Sequence, residues 1–376
     1  MKIAVVGLGY WGPNLVRNFL STNDVENVVC CDMQQRRLDL IRKRYPGVEV
    51  CLSAEDLLRR TDVEAVAIAT PVSTHFALGM KVLEAGKHLL IEKPFTLRSS
   101  DAEVLIEASE KRNLTLMVDH TFIYTSAVRK IKDVLDKGDL GDVLYFDSVR
   151  VNLGLFQRDT NVIWDLAPHD LSIMDYLIRQ KPIAVSATGM RHFSTHEDIA
   201  YITVMFPDNI IGHFHVNWIS PVKVRKILIG GTKLMVVYDD MDPSEKIKIY
   251  DRGVDIKGAD SVYKALVEYR TGDMFAPHVA QTEALSLMTA DFVNAIKTGT
   301  RPIADAQSGL NVVKLLEAAD QSVKMGGLVI RLSGNGNGNG YRGVSLAEMQ
   351  ECAATRASGD PCPIQLLFNG NKDAAT

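Results

Sequence analysis

The chain has 376 residues, more than one hydrophobic core comfortably holds, so we expect two domains. Hydrophobic residues make up 46% and charged residues 23%, as in ordinary globular proteins. A formal net charge of −4 without a long basic stretch argues against nucleic acid and membrane surfaces as partners. The five cysteines lack a CxxC spacing, and the apolar N-terminal run is too short for a signal peptide, so we expect reduced thiols and a cytoplasmic protein.

The first 120 residues alternate strand patterns with helix patterns. Apolar, strand-like runs cover residues 2–7, 25–32, 48–52, 63–70, 87–93 and 114–119. Amphipathic stretches lie between them, for example "STHFALGMKVLEAG", which closes on Gly86 as a helix C-terminus does. This alternation predicts an α/β fold whose first domain, residues 1–120, is a Rossmann domain with a doubly wound parallel sheet.

The pattern changes in residues 121–330, which we interpret as an α+β domain for substrate binding and oligomerisation. Strand-like runs at 143–152, 183–192, 199–206, 210–219, 224–230 and 233–239 predict a large, open, mostly antiparallel sheet. A helix at 165–178 precedes most of them, and helices at 282–299 and 304–326 close the domain. We expect one sheet face to be covered by a second copy, giving a homodimer or homotetramer.

Residues 331–376 form a third segment, with the low-complexity stretch "SGNGNGNGYRG" followed by a tail of weak periodicity. We interpret it as a Gly/Asn-rich linker and a dispensable extension. A docking segment for a neighbouring subunit is the alternative.

"VVGLGYWG" carries Gly7, Gly9 and Gly12 in GxGxxG spacing, between an apolar strand and the start of a helix. In that context the glycines permit a tight turn, a close approach of a pyrophosphate and helix–strand packing. Asp32, twenty residues after Gly12, ends the second strand, where a carboxylate binds ribose hydroxyls and repels a 2′-phosphate. The pattern predicts NAD rather than NADP, although Arg36 and Arg37 follow closely. A structural glycine turn with a surface Asp is the alternative.

"IEKPF" places Lys93 at the end of the fifth strand, and ligands of doubly wound sheets bind beyond such strand ends. Lys93 should therefore face the cofactor crevice, next to an X–Pro bond that can be cis. The alternative is a surface lysine that ends a strand.

"WDLAPHD" raises two interpretations of Asp165 and His169, which lie one helical turn apart. As a helix start, Asp165 is the N-cap and Pro168 lies in the first turn. As an acid/base pair, the positive helix end keeps His169 neutral, while the carboxylate orients it and keeps its pKa near working pH. The two interpretations are compatible.

The glycine turn, "ATPVSTH" (69–75), "EKP" (92–94) and "WDLAPHD" (164–170), in this order, resemble the Gfo/Idh/MocA family of NAD(P)-dependent oxidoreductases over about residues 1–330. "GYWGPN", "NVIWDLAPHDLSI" and "NWISPVKVRKI" are similar to the family's sugar-nucleotide branch, which oxidises C3 of UDP-N-acetylhexosamines or their uronic acids.

The resemblance implies roles for the matching positions. Lys93 would lie near the nicotinamide and the reacting hydroxyl, and Asp165 and His169 would form the acid/base pair. The implied cofactor contacts are Gly7, Gly9, Tyr10, Trp11, Gly12, Asp32, Thr70, Pro71, His75, Glu92 and Lys93. The expected substrate contacts are Lys93, His120, Arg158, Asn161, Trp164, His169, Lys223 and Arg225. Arg158 and Asn161 precede the catalytic helix, and Lys223 and Arg225 follow "NWISP"; these four are the candidates for contact with a diphosphate or carboxylate, and a solvated surface role is the alternative for each.

We predict that His169 takes the proton of a sugar hydroxyl as hydride leaves its carbon, while Lys93 stabilises the developing alkoxide. The reverse assignment, with Lys93 as the base, stays open. His213 and His215 alternate along a strand without completing carboxylate or Cys ligands, so we expect no metal site.

The sequence thus predicts an NAD-dependent sugar-nucleotide 3-dehydrogenase of polysaccharide or amino-sugar biosynthesis. Alternatives are the same fold acting on a free sugar, an inositol or a 3-keto-dTDP-sugar, and a non-catalytic NAD-binding regulator.

Overall fold

The computed structural model describes residues 1–154, 160–251, 253–257 and 266–332, with the backbone alone at 254–257 and 266–269. Arg158 and the tail from residue 333 onward, both named above, lie outside the described residues. The division of the chain at residue 120 stays our interpretation. Among the described helices, none is both long and apolar enough to cross a membrane.

The first half folds around a parallel sheet of six strands in the order β3-β2-β1-β4-β5-β6. The strands are β1 (Lys2–Val6), β2 (Asn27–Cys31), β3 (Glu49–Cys51), β4 (Ala65–Ile68), β5 (His88–Glu92) and β6 (Leu116–Asp119). Its helices are α1 (Gly12–Leu20), α2 (Gln35–Arg44), α3 (Ala54–Leu58), α4 (His75–Glu84) and α5 (Ser99–Glu110). The central strands are almost wholly buried, as expected for a sheet covered on both faces. The doubly wound fold is confirmed, and its strand order reverses between β1 and β4, where ligands bind.

The second half is built on a sheet of nine strands in the order β16-β13-β12-β11-β7-β10-β9-β8-β17. The strands from β7 onward are β7 (Val143–Leu153), β8 (Ala184–Met190), β9 (Ile199–Met205), β10 (Ile211–Asn217), β11 (Ile219–Gly231), β12 (Met235–Asp239), β13 (Ile247–Tyr250), β14 (Gly253–Lys257), β15 (Leu266–Arg270), β16 (Met274–Phe275) and β17 (Ile330–Arg331). The helices are α6 (Ser126–Asp136), α7 (Val162–Leu177), α8 (Ala284–Thr298) and α9 (Ala306–Lys324). Pairing is antiparallel except between β7 and β10, so the predicted mostly antiparallel sheet is confirmed. Strands β14 and β15 pair with each other in a separate antiparallel sheet.

Helices α7 and α9 cover one face of the large sheet, which we call the inner face. Phe146, Phe214 and Ile227 on that face are buried, and their alternating neighbours along each strand point to the other, outer face. The last two helices also pack onto the first half of the chain. The Val118 amide donates to the Ala304 carbonyl at 3.1 Å, and the Ser99 amide donates to Glu317 at 3.1 Å. The C-terminal helices therefore join the two sheets.

The helix that carries "WDLAPHD" starts earlier than predicted, and this corrects the expected role of Asp165 as its cap. Helix α7 starts at Val162, and Asn161 is its N-cap, with Oδ1 accepting from the Ile163 and Trp164 amides at 3.1 and 3.2 Å. Pro168 then lies inside the helix rather than in its first turn. Because proline has no N–H, the Trp164 carbonyl, next to Asp165 in the chain, loses its usual intrahelical donor.

Candidate active site

A cavity of about 700 Å³ lies beyond the carboxyl ends of β1, β2, β4 and β5. Among its lining residues are these predicted cofactor contacts: Gly7, Gly9, Tyr10, Trp11, Asp32, Thr70, Pro71, Glu92 and Lys93. The strand ends of the doubly wound sheet thus bring together residues that are widely separated in sequence.

The glycine turn has the geometry of a phosphate-binding loop. Gly7 has φ of +94°, and a Cβ there would lie 2.6 Å from the Ala69 carbonyl oxygen. A side chain at Gly12 would collide with the Gly7 carbonyl, while the space around Gly9 is open. Helix α1 begins at Gly12, so its N-terminal amides face the turn. These features fit the pyrophosphate of a dinucleotide.

Asp32 lies at the rim of this cavity and is buried. Its Oδ2 accepts from the Leu8 amide at 2.8 Å and from Arg37 Nη1 at 3.1 Å, and its Oδ1 accepts from the Gln34 amide at 2.8 Å. The amides hold the carboxylate in place at the end of β2, and the guanidinium partly balances its charge. Ribose binding by Asp32 stays a prediction.

Two carboxyl groups lie side by side at this edge of the sheet, because Glu92, which lines the cavity, and Asp119 are register partners on β5 and β6. Asp119 accepts from Trp11 Nε1 at 3.0 Å and from the Thr121 amide at 3.1 Å. Burial raises the pKa of Glu92 well above its usual value, and the charge of Asp119 raises it further. Burial therefore favours the protonated form of Glu92, and its Oε1 has no partner among the described residues. The sequence analysis missed Asp119, although its place at the end of a strand next to that of Glu92 could have identified it.

His75, expected to contact the cofactor, is instead buried beneath the cavity. Its Nδ1 lies 3.0 Å from the Pro94 carbonyl oxygen, and its Nε2 lies 2.9 Å from the Thr70 carbonyl oxygen. Both ring nitrogens thus face the backbone of the two loops that carry Thr70 and Lys93. His75 therefore holds those loops together. The prediction that it contacts the cofactor is wrong, because its ring is buried and both nitrogens face the protein backbone.

Lys93 reaches from the first half of the chain to helix α7. Its Nζ lies 2.9 Å from the Asp165 carbonyl oxygen and 3.3 Å from Asp165 Oδ1. Trp218 Nε1 donates to the other carboxylate oxygen, Oδ2, at 2.9 Å. The Lys93–Pro94 peptide bond is cis. Asp165 therefore binds both Lys93 and Trp218. The sequence analysis identified Lys93 as a site residue but missed Trp218.

His169 lies one turn after Asp165 but does not hydrogen-bond to it among the described contacts, and the two oxygens of that carboxylate bond to Lys93 and Trp218. Its ring packs edge-on against Phe122, with 4.8 Å between centroids. Burial lowers the pKa of His169 well below 6.5, and the charges of Lys93, Arg150 and Arg225 lower it further. The imidazole is thus neutral because of burial and nearby cations. The helix dipole is not the cause, because His169 lies beyond the first turn, where that effect fades.

Other predicted substrate contacts are dispersed. His120 is buried next to Lys93 and Asp119, both of its nitrogens lack a partner among the described residues, and burial lowers its pKa to about 4. Asn161 caps α7 and donates to Glu197 and Asp320 at 3.0 and 3.1 Å, so its side chain is fully used by the fold. This corrects its expected substrate contact. Trp164 is buried in the core, and Lys223 is exposed.

Arg225 is a further predicted substrate contact that lies near His169, as Lys93 and His120 do, and Arg150, which sequence analysis missed, lies there too. Arg150 lies in β7, is buried, and makes a bidentate ion pair with Asp170 at 2.7 and 2.9 Å. The sequence pattern does not predict the ion pair of Arg150 with Asp170, because the two residues meet only when strand β7 packs against helix α7.

The fold and this site define a two-domain, NAD-binding oxidoreductase. The family model "Oxidoreductase family, NAD-binding Rossmann fold" matches residues 1–120, and the "GFO/IDH/MocA C-terminal domain" model matches residues 128–237. The chain belongs to the Gfo/Idh/MocA family and is an NAD-dependent dehydrogenase of the type that acts on a CH–OH group.

Curated relatives show the range of substrates in this family. The UDP-N-acetylglucosamine 3-dehydrogenase of Acidithiobacillus ferrooxidans is 25% identical over 83% of this chain and 94% of its own length. The scyllo-inositol 2-dehydrogenase (NADP(+)) IolW of Bacillus subtilis is 23% identical over 86% of this chain and 94% of its own.

Solved structures agree on the fold. The Acidithiobacillus dehydrogenase, GnnA, superposes with a TM-score of 0.71 and 25% identity over 86% of this chain and 98% of its own. GenD2 from gentamicin A biosynthesis, in complex with NAD, has a TM-score of 0.74 at 21% identity over 89% of this chain and 97% of its own.

Proposed function

We propose that this protein oxidises the C3 hydroxyl of a nucleotide-linked sugar, UDP-N-acetylglucosamine or its uronic acid, in cytoplasmic polysaccharide or amino-sugar biosynthesis. The observation that carries the proposal is the contact of Lys93, at the inner end of the dinucleotide cavity, with Asp165, one helical turn before a neutral His169. The 25% identical relative named for the same reaction supports the choice of substrate.

The chain's own groups suit alcohol oxidation. The bound coenzyme supplies the hydride acceptor. His169, neutral because burial and neighbouring cations lower its pKa, takes the proton of the hydroxyl. Lys93 donates a hydrogen bond to the same oxygen and stabilises its developing negative charge, and Asp165 holds the ammonium in place.

The reverse assignment remains the second candidate, with Lys93 as the base and His169 as a hydrogen-bond partner. The second candidate substrates are inositols or dTDP-linked sugars. The inositol dehydrogenase named above supports an inositol. A dTDP-3,4-didehydro-2,6-dideoxy-alpha-D-glucose 3-reductase of Streptomyces violaceoruber supports a dTDP-linked sugar; it is 41% identical over 23% of this chain and 25% of its own length.

For its quaternary state, we propose a homodimer or homotetramer formed through the outer face of the large sheet. Tyr201 and Ile211 are exposed on that face, and Tyr201 stacks on His215 with 4.5 Å between centroids. Among the described residues, no helix covers this apolar and aromatic face of the sheet. A second copy of the chain could cover it and bury its exposed side chains.

The test is reduction of NAD by the purified protein with a panel of UDP-sugars, dTDP-sugars and inositols, with the product carbon assigned by NMR. We expect oxidation at C3 of a UDP-N-acetylhexosamine or its uronic acid, and no turnover in a His169→Asn/Lys93→Met double variant that stays folded. Oxidation of free polyols alone would contradict the nucleotide-sugar assignment.

A further inference from the structure

Two arginines lie directly opposite each other in the middle of the large sheet. Arg150 on β7 and Arg225 on β11 are register partners, and both belong to the inner face. Like charges directly opposite on neighbouring strands destabilise a sheet. This pair therefore needs anionic partners.

Phe122 joins this pair to the candidate base. Arg150 Cζ lies 4.5 Å from the centroid of the Phe122 ring, and Arg225 Cζ lies 5.7 Å from the same centroid. His169 contacts that ring edge-on. Both guanidinium groups thus lie one aromatic ring away from the imidazole.

The carboxylates of the chain satisfy the two arginines only in part. Asp170 binds Nε and Nη2 of Arg150, while Nη1 is buried without a partner among the described residues. Arg225 has a long contact of 3.4 Å with Asp240, a carboxylate that also faces Lys246 at 3.6 Å, and in the described part of the chain its Nε has no partner either. An unmet buried donor is destabilising, so unmet donors that cluster near a site indicate a polar ligand.

We propose that Arg150 and Arg225 form an anion subsite that binds a carboxylate on the reacting sugar, so that the substrate is a nucleotide-linked hexuronic acid. This inference rests on the proposed function and selects between its two sugars, which differ at C6 in having a carboxylate or a hydroxymethyl group. Guanidinium groups bind carboxylates through charge-assisted hydrogen bonds, and a hydroxymethyl group offers no charge to match them.

The diphosphate of the substrate is the other source of an anion. Arg150 and Arg225 lie beside His169, the candidate base that acts on the sugar ring. This position favours the carboxylate, because that group is part of the same sugar. Lys223, exposed and earlier in β11, is the candidate for the diphosphate.

The first test compares kcat/KM of the unmodified protein for UDP-N-acetylglucosamine and for UDP-N-acetylglucosaminuronic acid. We expect the uronic acid to be preferred by about 10- to 100-fold, the effect of one or two charge-assisted bonds. Equal use of both sugars, or preference for UDP-N-acetylglucosamine, would overturn the inference and leave the proposed function standing. No oxidation of either would contradict the proposed function itself.

The second test uses Arg225→Gln, with Arg179→Gln as the matched control. Arg179 lies just after helix α7, is exposed and pairs with Asp136 at 2.8 Å. We expect Arg225→Gln to raise KM for the uronic acid by about 10-fold or more and to leave KM for UDP-N-acetylglucosamine nearly unchanged. The control should change neither, and thermal unfolding confirms that both variants are folded.

Inhibition separates the two anion sources. Free glucuronate carries the carboxylate alone, and UDP carries the diphosphate alone. We expect Arg225→Gln to weaken inhibition by glucuronate and to leave inhibition by UDP unchanged. Weaker inhibition by UDP with unchanged inhibition by glucuronate would assign the subsite to the diphosphate and overturn the inference.

Discussion

The Lys93 ammonium lies 2.9 Å from the Asp165 carbonyl oxygen and 3.3 Å from Asp165 Oδ1, which ties strand β5 of the first half to helix α7 of the second. The Asp165 carbonyl follows that of Trp164, which lacks its intrahelical donor because Pro168 has no N–H. The same residue, Asp165, thus supplies Lys93 with a neutral and a charged acceptor.

This contact predicts a large effect of Lys93→Met. Loss of the ammonium removes the hydrogen bond to the reacting oxygen, so kcat should fall by about 10²- to 10⁴-fold while coenzyme binding persists. Steady-state kinetics and calorimetric titration with NAD measure the two effects. Lys111→Met, at an exposed lysine paired with Glu107, is the control and should behave like the unmodified protein. Turnover within a few-fold of normal in Lys93→Met would show that Lys93 is not needed for the chemistry.

The pH dependence of kcat/KM should report His169. Because burial and neighbouring cations lower its pKa well below 6.5, the base is unprotonated at neutral pH, and activity should fall only at pH values below 6.5. Lys93 contributes most among these cations. Its removal in Lys93→Met should raise the pKa of His169 and move the remaining acid limb to higher pH. If the acid limb stays at the same pH in Lys93→Met, the charge of Lys93 does not influence the pKa of His169.

Glu92→Gln should change how stability depends on pH. Its raised pKa means that folded Glu92 keeps its proton at pH values above 4.5, where the unfolded chain has lost it. The folded state then holds more protons, so this group makes the free energy of unfolding fall as pH rises through that range. The amide that replaces the carboxyl group does not titrate, so the variant should gain stability relative to the unmodified protein as pH rises above 4.5.

Urea unfolding at several pH values measures this difference. Glu110→Gln, at an exposed position at the end of α5, is the matched control and should show no such trend. A difference between Glu92→Gln and the unmodified protein that does not vary with pH would mean that Glu92 is ionised in the folded state.

Asn161 should affect stability rather than substrate binding. Asn161→Ala removes the cap of α7 and should cost about 1 kcal/mol or more in the free energy of unfolding, with KM unchanged. Asn161→Asp keeps the cap acceptor but places a carboxylate against Glu197 and Asp320, so it should cost more at neutral pH and recover as pH falls. A rise in KM without loss of stability in either variant would restore Asn161 as a substrate contact.

Local pattern was sufficient for the first sheet, the glycine turn and the positions of Asp32 and Lys93. These features depend on strand and helix periodicity and on strand ends that meet at one edge of a parallel sheet. Helix ends marked by glycine were also predictable, since Gly86 and Gly299 adopt φ of +72° and +69°.

Features that depend on packing between distant segments were not predictable from pattern. Asp165 was a plausible cap from the residue type alone, but Asn161 occupies that position and shifts the helix start. Residues such as Asp119, Arg150 and Asp170 acquire their partners only when strands and helices from separate parts of the chain meet. Their residue types alone are equally compatible with an exposed surface.

The most direct measurement follows the hydrogen at C3 of the sugar. UDP-N-acetylglucosaminuronic acid carrying deuterium at C3 is incubated with the protein and NAD, and the reduced coenzyme and the sugar are analysed by NMR and mass spectrometry. We predict that the deuterium is recovered in the reduced coenzyme, with a ketone at C3 of the sugar, and that Lys93→Met and His169→Asn both slow this transfer. Reduced coenzyme without the label, or a ketone at another carbon, would contradict oxidation at C3 by this site.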